Sequence, residues 1–236
     1  KAEPVILKAD SSAKKQLAAL EQLRDSLPAS ANKRLEADIR ALQAGIIGED
    51  RILYELKNSH MDMFVLQDLY LEHDGLTAQI DFLVLTLQRY FIIECKNLYG
   101  DIEINNKGDF IRSFGGRKRE GIYSPITQNQ RHLELIRAMR RANRGLALNL
   151  LLDRDFDDLY RSLVVLANPK TVLNDRYAKR EVKERIIRAD QLIATIKTIN
   201  NEKGPGHDKG FRSMIQENAA WFLTQHKQNP VDYLAK

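Results

Sequence analysis

Two apolar runs, AQIDFLVLTL at residues 78–87 and YFIIECK at residues 90–96, are separated only by Gln88 and Arg89. A connection this short forces neighbouring strands into an antiparallel hairpin. Along an extended strand, residues i and i+2 share a face. Glu94 and Lys96 therefore lie on one face of the second strand, and Ile93 and Cys95 on the other. Pairing residues whose numbers sum to about 175 sets Asp81 opposite Glu94 or Cys95. Two carboxylates opposed across a hairpin repel each other, so a cation belongs between them. Lys96 is one candidate and a divalent metal the other. On an open sheet surface a Glu94–Lys96 pair contributes about 0–1 kcal/mol, but the bulk of the flanking residues marks this strand as buried.

The rest of the chain supplies layers for such a sheet. Residues 11–27 and 32–57 have helical patterns. In the second, Leu35, Ile39, Leu42, Ile46, Leu53 and Leu56 recur at alternating steps of four and three, and Glu49 fills the one gap in the series. Gly45 and Gly48 precede it, each costing about 1 kcal/mol relative to alanine inside a helix. That cost points to a close approach by another backbone or a ligand. Glu49 either faces that approach or lies at the stripe's edge and reaches water. FVLQDLYL at 64–71 reads as a strand, and SLVVLA at 162–167 as another after an acidic turn, DRDFDD. The glycine-rich, charged residues 100–123 read as irregular hairpins and loops at the rim. Ser124-Pro125 opens a helix to about Arg144, and two more helices, near 190–199 and 208–227, flank the breaker NNEKGPG. The order is that of an α/β fold around one mixed sheet flanked by helices.

The hydrophobic fraction of 43% is enough for a core, and the net charge of +5 permits an anionic partner without requiring one. The cations cluster at Arg112, Arg117, Lys118 and Arg119, and again at Arg137, Arg140, Arg141 and Arg144. Each cluster taken singly also fits a solvated face. One cysteine excludes an internal disulfide framework and a cysteine-based zinc site, and a reducing, cytoplasmic setting is the default. No window approaches a membrane span. The first residue is Lys1 rather than methionine, so a membrane tether is expected only if an upstream segment exists.

Glu49, Asp81, Glu94 and Lys96 thus converge from a helix and two strands. Hydrolysis of a phosphodiester needs a cation at the scissile phosphate, a positioned water and stabilisation of the departing oxygen. Oxygen ligands suit Mg²⁺, with Mn²⁺ also accepted. Asp81 and Glu94 are the expected ligands, with the backbone carbonyl of Cys95 beside them and Glu49 bound directly or through water. Lys96 would orient or help deprotonate the attacking water. The segments GIIGED, QIDFLVL, FIIECKN and SPITQNQRH, in that order, resemble the NERD (nuclease-related domain) family of the PD-(D/E)xK nuclease superfamily. The resemblance implies a restriction-endonuclease-like core and Mg²⁺-dependent cleavage of nucleic acid, taken here as DNA, with no small-molecule cofactor. It implies catalytic roles for Glu49, Asp81, Glu94 and Lys96 and adds Gln128 from the last segment. Ile80 stands where the superfamily's naming proline precedes the aspartate, and Ser124 where the family often has asparagine.

Residues 45–200 are the expected nuclease-like domain, with helical extensions at 1–44 and 201–236. The N-terminal extension reads as part of the fold, an oligomerisation helix or a link to an anchor. Arg112, Arg117, Lys118, Arg119, Arg137, Arg140 and Arg141 are expected to steer a nucleic-acid backbone. His132, one helical turn from Gln128, reads either as a contact to phosphate or a brace for the metal ligands, or as a capping or surface residue; the other histidines read as solvated, and Cys95 as a small buried hydrophobe. A non-catalytic nucleic-acid-binding or scaffolding module on the same fold is the rival reading.

Overall fold

The computed structural model describes residues 2–28, 33–115, 118–143, 146–204 and 211–230. In chain order the elements are β1 (Pro4–Lys8), α1 (Ser12–Ser26), α2 (Lys33–Lys57), β2 (Met63–His73), β3 (Leu76–Thr86), β4 (Tyr90–Lys96), β5 (Asp101–Ile104), β6 (Phe110–Phe114), β7 (Lys118–Ile122), α3 (Pro125–Ala142) and α4 (Leu146–Leu159). They continue with β8 (Tyr160–Leu166), β9 (Leu173–Asn174), α5 (Arg180–Lys183), β10 (Ile186–Arg188), α6 (Leu192–Asn200) and α7 (Arg212–Gln225).

The main sheet has the order β1-β2-β3-β4-β8-β10. The β2–β3–β4 meander is antiparallel, whereas β1 joins β2, β8 joins β4 and β10 joins β8 in parallel. Alternation along these strands sends side chains to two cores. On one face Ile52, Leu53 and Leu56 of α2 and Leu192 and Ile196 of α6 cover Val65, Phe82, Val84, Phe91 and Ile93. On the other, Leu133, Ile136 and Met139 of α3 and Ile215 and Phe222 of α7 cover Leu66, Leu83, Leu85 and Ile92. The molecule is a mixed α/β fold with its sheet flanked by helices, as the pattern predicts.

The alternation changes phase once in each of two strands. In β2 the α3-facing residues are Phe64 and Leu66, then Leu69 and Leu71; in β3 they are Leu85 and Leu83, then Ile80 and Ala78. The step falls at Asp68 and Asp81, which the ladder skips between Gln67↔Phe82 and Leu69↔Ile80. Asp68 has φ +54°, a left-handed conformation that aspartate tolerates better than most residues. The β3–β4 ladder also ends here, at Phe82↔Ile93, while β4 stays paired with β8 through Glu94↔Val164, Cys95↔Val165 and Lys96↔Leu166. A split therefore opens between β3 and β4.

Several expectations need correction. Within residues 100–123 the described residues form three regular antiparallel strands, β5, β6 and β7, rather than irregular hairpins and loops, and with β9 they make a second sheet in the order β7-β6-β5-β9. Ile102, Ile104 and Phe110 pack it against Val164, Leu166 and Ile186 at the end of the main sheet. DRDFDD is not a turn but the last turns of α4. The first 44 residues are a fold extension, because β1 is an edge strand of the main sheet. Among the described residues no helix is long and apolar enough to cross a membrane.

Candidate active site

Beyond Ile93, the E-C-K strand is paired only on its β8 side. On the open side the side chain of Asp81 replaces the missing strand: its Oδ2 accepts the Cys95 N–H at 2.7 Å. Glu94 continues the face of Ile92 toward α3, and Lys96 shares it, with Nζ donating to Glu94 Oε1 at 2.6 Å and to Gln128 Oε1 at 3.3 Å. Ser124 caps α3, its Oγ accepting from the Thr127 N–H, with Pro125 in the first turn. Asn129, one residue beyond Gln128, donates to the carbonyl of Leu163 at 3.0 Å and fixes α3 over the strands.

Cys95 points to the opposite face, toward α2. A Cβ on Gly48 would lie 2.7 Å from Asn97 Cβ and 2.9 Å from Cys95 Sγ, so the predicted close approach occurs at this glycine. At Gly45 a Cβ would meet nothing within 4 Å. The contact at Gly48 sets the next residue, Glu49, at the split from the α2 side. Its Oε2 accepts from Gln67 Nε2 at 2.8 Å and from Ser11 Oγ at 3.5 Å.

The electrostatics follow from burial. Glu94 is 3% exposed, and desolvation raises its pKa against the opposing pull of Lys96. Desolvation also lifts Asp81 well above the usual carboxylate range, reinforced by the charges of Glu94 and then Glu49. Glu49 is raised by burial, with its Gln67 hydrogen bond opposing and Asp68 adding repulsion. Burial holds the Cys95 thiol protonated, which suits a packing role. Three carboxylates held at a disadvantage beside one lysine are the kind of arrangement retained at functional sites.

A hard divalent cation fits this donor set. Glu94 Oε2 is buried with no hydrogen-bond donor among the described residues, although Gln128 is near enough to favour its ionised form. Among the described residues no three Asp, Glu, His or Cys side chains stand together as a complete ligand cluster. Mg²⁺ takes only one or two carboxylates and fills its other positions with water or phosphate oxygens, and Asp81 and Glu94 match that need.

The structure brings Glu49, Asp81, Glu94, Lys96 and Gln128 to one split in the sheet. It also places there residues the pattern did not single out. Gln67 holds Glu49, and Asp68 accepts from the Ser12 N–H at 2.6 Å and from Gln79 Nε2 at 2.9 Å. His132 is buried rather than on the surface; desolvation, then the charge of Lys96, lower its pKa to about 4. His226 is not merely solvated, since its Nδ1 accepts the Tyr70 N–H at 3.0 Å.

The two basic clusters differ. Arg112, Lys118 and Arg119 lie on the second sheet, with Lys118 and Arg119 well exposed; Arg117 and Arg144 lie outside the described residues. On α3, Arg140 is buried, donating to Tyr160 and Asn218 and stacking on Trp221, so it is not placed to meet a ligand. Arg137 pairs with Asp157 and Arg141 with Asp153, both acids from α4. The α3 cluster thus knits two helices together.

No curated protein and no solved structure matches the chain. The model of the nuclease-related domain matches residues 44–167, more than half of the sequence, and spans Glu49, Asp81, Glu94, Lys96 and Gln128. The chain belongs to the nuclease-related domain (NERD) family.

Proposed function

We propose that the protein is a divalent-metal-dependent deoxyribonuclease whose site is the split between β3 and β4. The observation that carries this reading is the buried Glu94 Oε2, without a hydrogen-bond partner among the described residues, on a carboxylate whose charge reaches Asp81 and whose other oxygen, Oε1, is held by Lys96. Asp81 and Glu94 would hold Mg²⁺ or Mn²⁺, with the Cys95 carbonyl beside them and Glu49 adding charge directly or through water. When bound, the ion draws negative charge from the scissile phosphate and from the departing oxygen. Lys96, a quarter exposed at its side chain, can turn between Glu94 and a phosphate oxygen, offsetting charge and orienting the water for in-line attack. Gln128 fixes the lysine from α3. Gln67 and Ser11 hold the Glu49 carboxylate in place from the other side.

The test is cleavage of supercoiled and single-stranded circular DNA with Mg²⁺, Mn²⁺ or EDTA, for wild type, Asp81→Ala and Lys96→Ala. Metal-dependent cleavage is expected in wild type and is lost in both variants while their circular dichroism stays native. Retained cleavage by Asp81→Ala overturns the assignment. Absence of cleavage in wild type, with DNA still bound, transfers the fold to the binding-module reading.

A further inference from the structure

Register along the second sheet divides one of its faces into two halves. Ile102, Phe110 and Ile122 occupy the inner half and join the core with Val164 and Leu166. Arg112 and Phe114 follow Phe110 at steps of two, opposite Glu120 and Lys118 of β7, and form the outer half. The Arg112 guanidinium lies 4.5 Å from the Phe114 ring centre and the Lys118 ammonium 5.7 Å. Tyr99, 72% exposed, stands 6.1 Å from Phe114 with the rings tilted by 30°. Its loop is fixed: Arg112 Nε donates to the Tyr99 carbonyl, and Gly100, at φ +95°, lies so close to β6 that a Cβ would sit 2.5 Å from the Ser113 carbonyl oxygen.

Tyr99 is three residues past Lys96, so it can lie at most about 10–11 Å along the chain from it. Tyr123, 55% exposed and 5.5 Å from the Arg131 guanidinium, directly precedes Ser124. The Ser124 carbonyl accepts the Gln128 N–H, so Tyr123 is about one helical turn from Gln128. Two exposed tyrosines, each with a cation nearby, are therefore close along the chain to Lys96 and Gln128, which are hydrogen-bonded to each other. Single exposed apolar rings are ordinary on protein surfaces; these two are set apart by following Lys96 and preceding Gln128 so closely in the chain.

We propose that Tyr99 with Phe114, and Tyr123, are stacking platforms for unpaired bases on either side of the scissile phosphate, making single-stranded DNA the preferred substrate; this deepens the nuclease reading and rests on it. Ring faces reach a base only where it is not already stacked inside a duplex. Base–aromatic stacking is worth about 1–3 kcal/mol per base, more than the roughly 0.5–1 kcal/mol of an exposed cation–π contact. The bases can thus displace or share the cations, which then meet the flanking phosphates. Glu120 pairs with Arg112 at 3.5 Å and Lys118 at 3.8 Å, and phosphate takes over those partners when a strand binds.

Fluorescence anisotropy on the full chain in EDTA, with a labelled oligothymidylate and a duplex of equal length, tests the proposal. Wild type is expected to favour the single strand, and Tyr99→Ala to weaken single-strand binding roughly 5- to 100-fold while duplex binding stays unchanged. Tyr99→Trp, which keeps a ring face, restores the affinity. Equal affinity of wild type for both forms, or single-strand binding by Tyr99→Ala at the wild-type level, overturns the platform. Cleavage assays on the same proteins with each divalent ion separate the two readings. If no protein cleaves while Tyr99 still governs single-strand binding, the nuclease reading fails and the ring surface stands as a single-strand binding site. Metal-dependent cleavage with binding indifferent to Tyr99 leaves the nuclease and removes the platform.

Discussion

Asp81 illustrates what the site asks of single residues. Its raised pKa comes from burial and from Glu94 and Glu49. A carboxyl whose folded pKa lies above its unfolded value favours folding at low pH, and that contribution is lost as pH rises through the folded value. At neutral pH the Asp81 carboxyl therefore opposes folding. Asp81→Asn keeps an oxygen to accept the Cys95 N–H and removes the charge. Thermal melts in EDTA are expected to show a higher Tm for the variant at pH 7.5, by roughly 2–4 °C for each kcal/mol of strain relieved, and a gap that closes as pH falls toward 4. Added Mg²⁺ stabilises wild type more than the variant. A variant less stable than wild type at pH 7.5 would mean that the carboxylate cluster is not strained. Asp81, Glu94 and Lys96 were legible because a short connection makes the two runs an antiparallel hairpin and so brings Asp81 near the E-C-K stretch, and Glu49 because it interrupts an apolar stripe. Gln67 was not, for it lies inside the run FVLQDLYL, and the face it takes depends on the phase step at Asp68, which needs a left-handed φ that alternation does not reveal. The burial of His132 was not legible because the part of α3 that faces the strands also carries polar residues, Asn129 among them.

Within α2 the two glycines have opposite meanings, and substitution separates them. Replacing a mid-helix glycine with alanine gains about 1 kcal/mol of helix propensity. At Gly45 nothing opposes that gain, since an added Cβ meets open space; Gly45→Ala is expected to raise Tm by roughly 2–4 °C. At Gly48 the Cβ would overlap Asn97 Cβ and Cys95 Sγ. Overpacking of that kind costs roughly 1–3 kcal/mol, so the sign reverses, and α2 must lift away from the E-C-K strand. Gly48→Ala is expected to melt lower than wild type and to lose cleavage out of proportion, because the helix that moves also carries Glu49. A Gly48→Ala protein with wild-type melting and turnover would show that this contact positions nothing. The long helices and the central meander were readable from period and run length. The second sheet was not: strands such as DIEI and FIRSF are four or five residues long, with only every other side chain packed inward. The acidic DRDFDD stretch misled in a similar way, since its charges are partners for α3 arginines on a helix surface.

At the scale of the molecule, the family match starts at residue 44 and leaves β1, α1 and the first half of α2 outside it. These pieces are nonetheless part of the same fold. β1 covers the edge of β2 through Pro4↔Met63, Val5↔Phe64 and Ile6↔Val65. Lys8, 7% exposed, donates from Nζ to the Gln67 carbonyl at 2.9 Å, and Ser11 and Ser12 reach Glu49 and Asp68. Leu20 and Ile39 are 1% and 2% exposed; burying two such side chains contributes about 3–6 kcal/mol. That is a large share of the roughly 5–15 kcal/mol by which a domain is stable. Removing residues 1–44 also bares the edge of β2 at Met63–Leu66, where β1 pairs with it, and the N–H and C=O groups left unpaired there would template aggregation. A chain beginning at Gly45 is therefore expected to be insoluble or to melt without a cooperative transition, even though every residue proposed for the chemistry is retained. Size-exclusion chromatography and a thermal scan decide it. A soluble monomer with a sharp transition near that of the full chain would make the N-terminal segment a separable attachment, and would free it for the assembly role that its helices also suit.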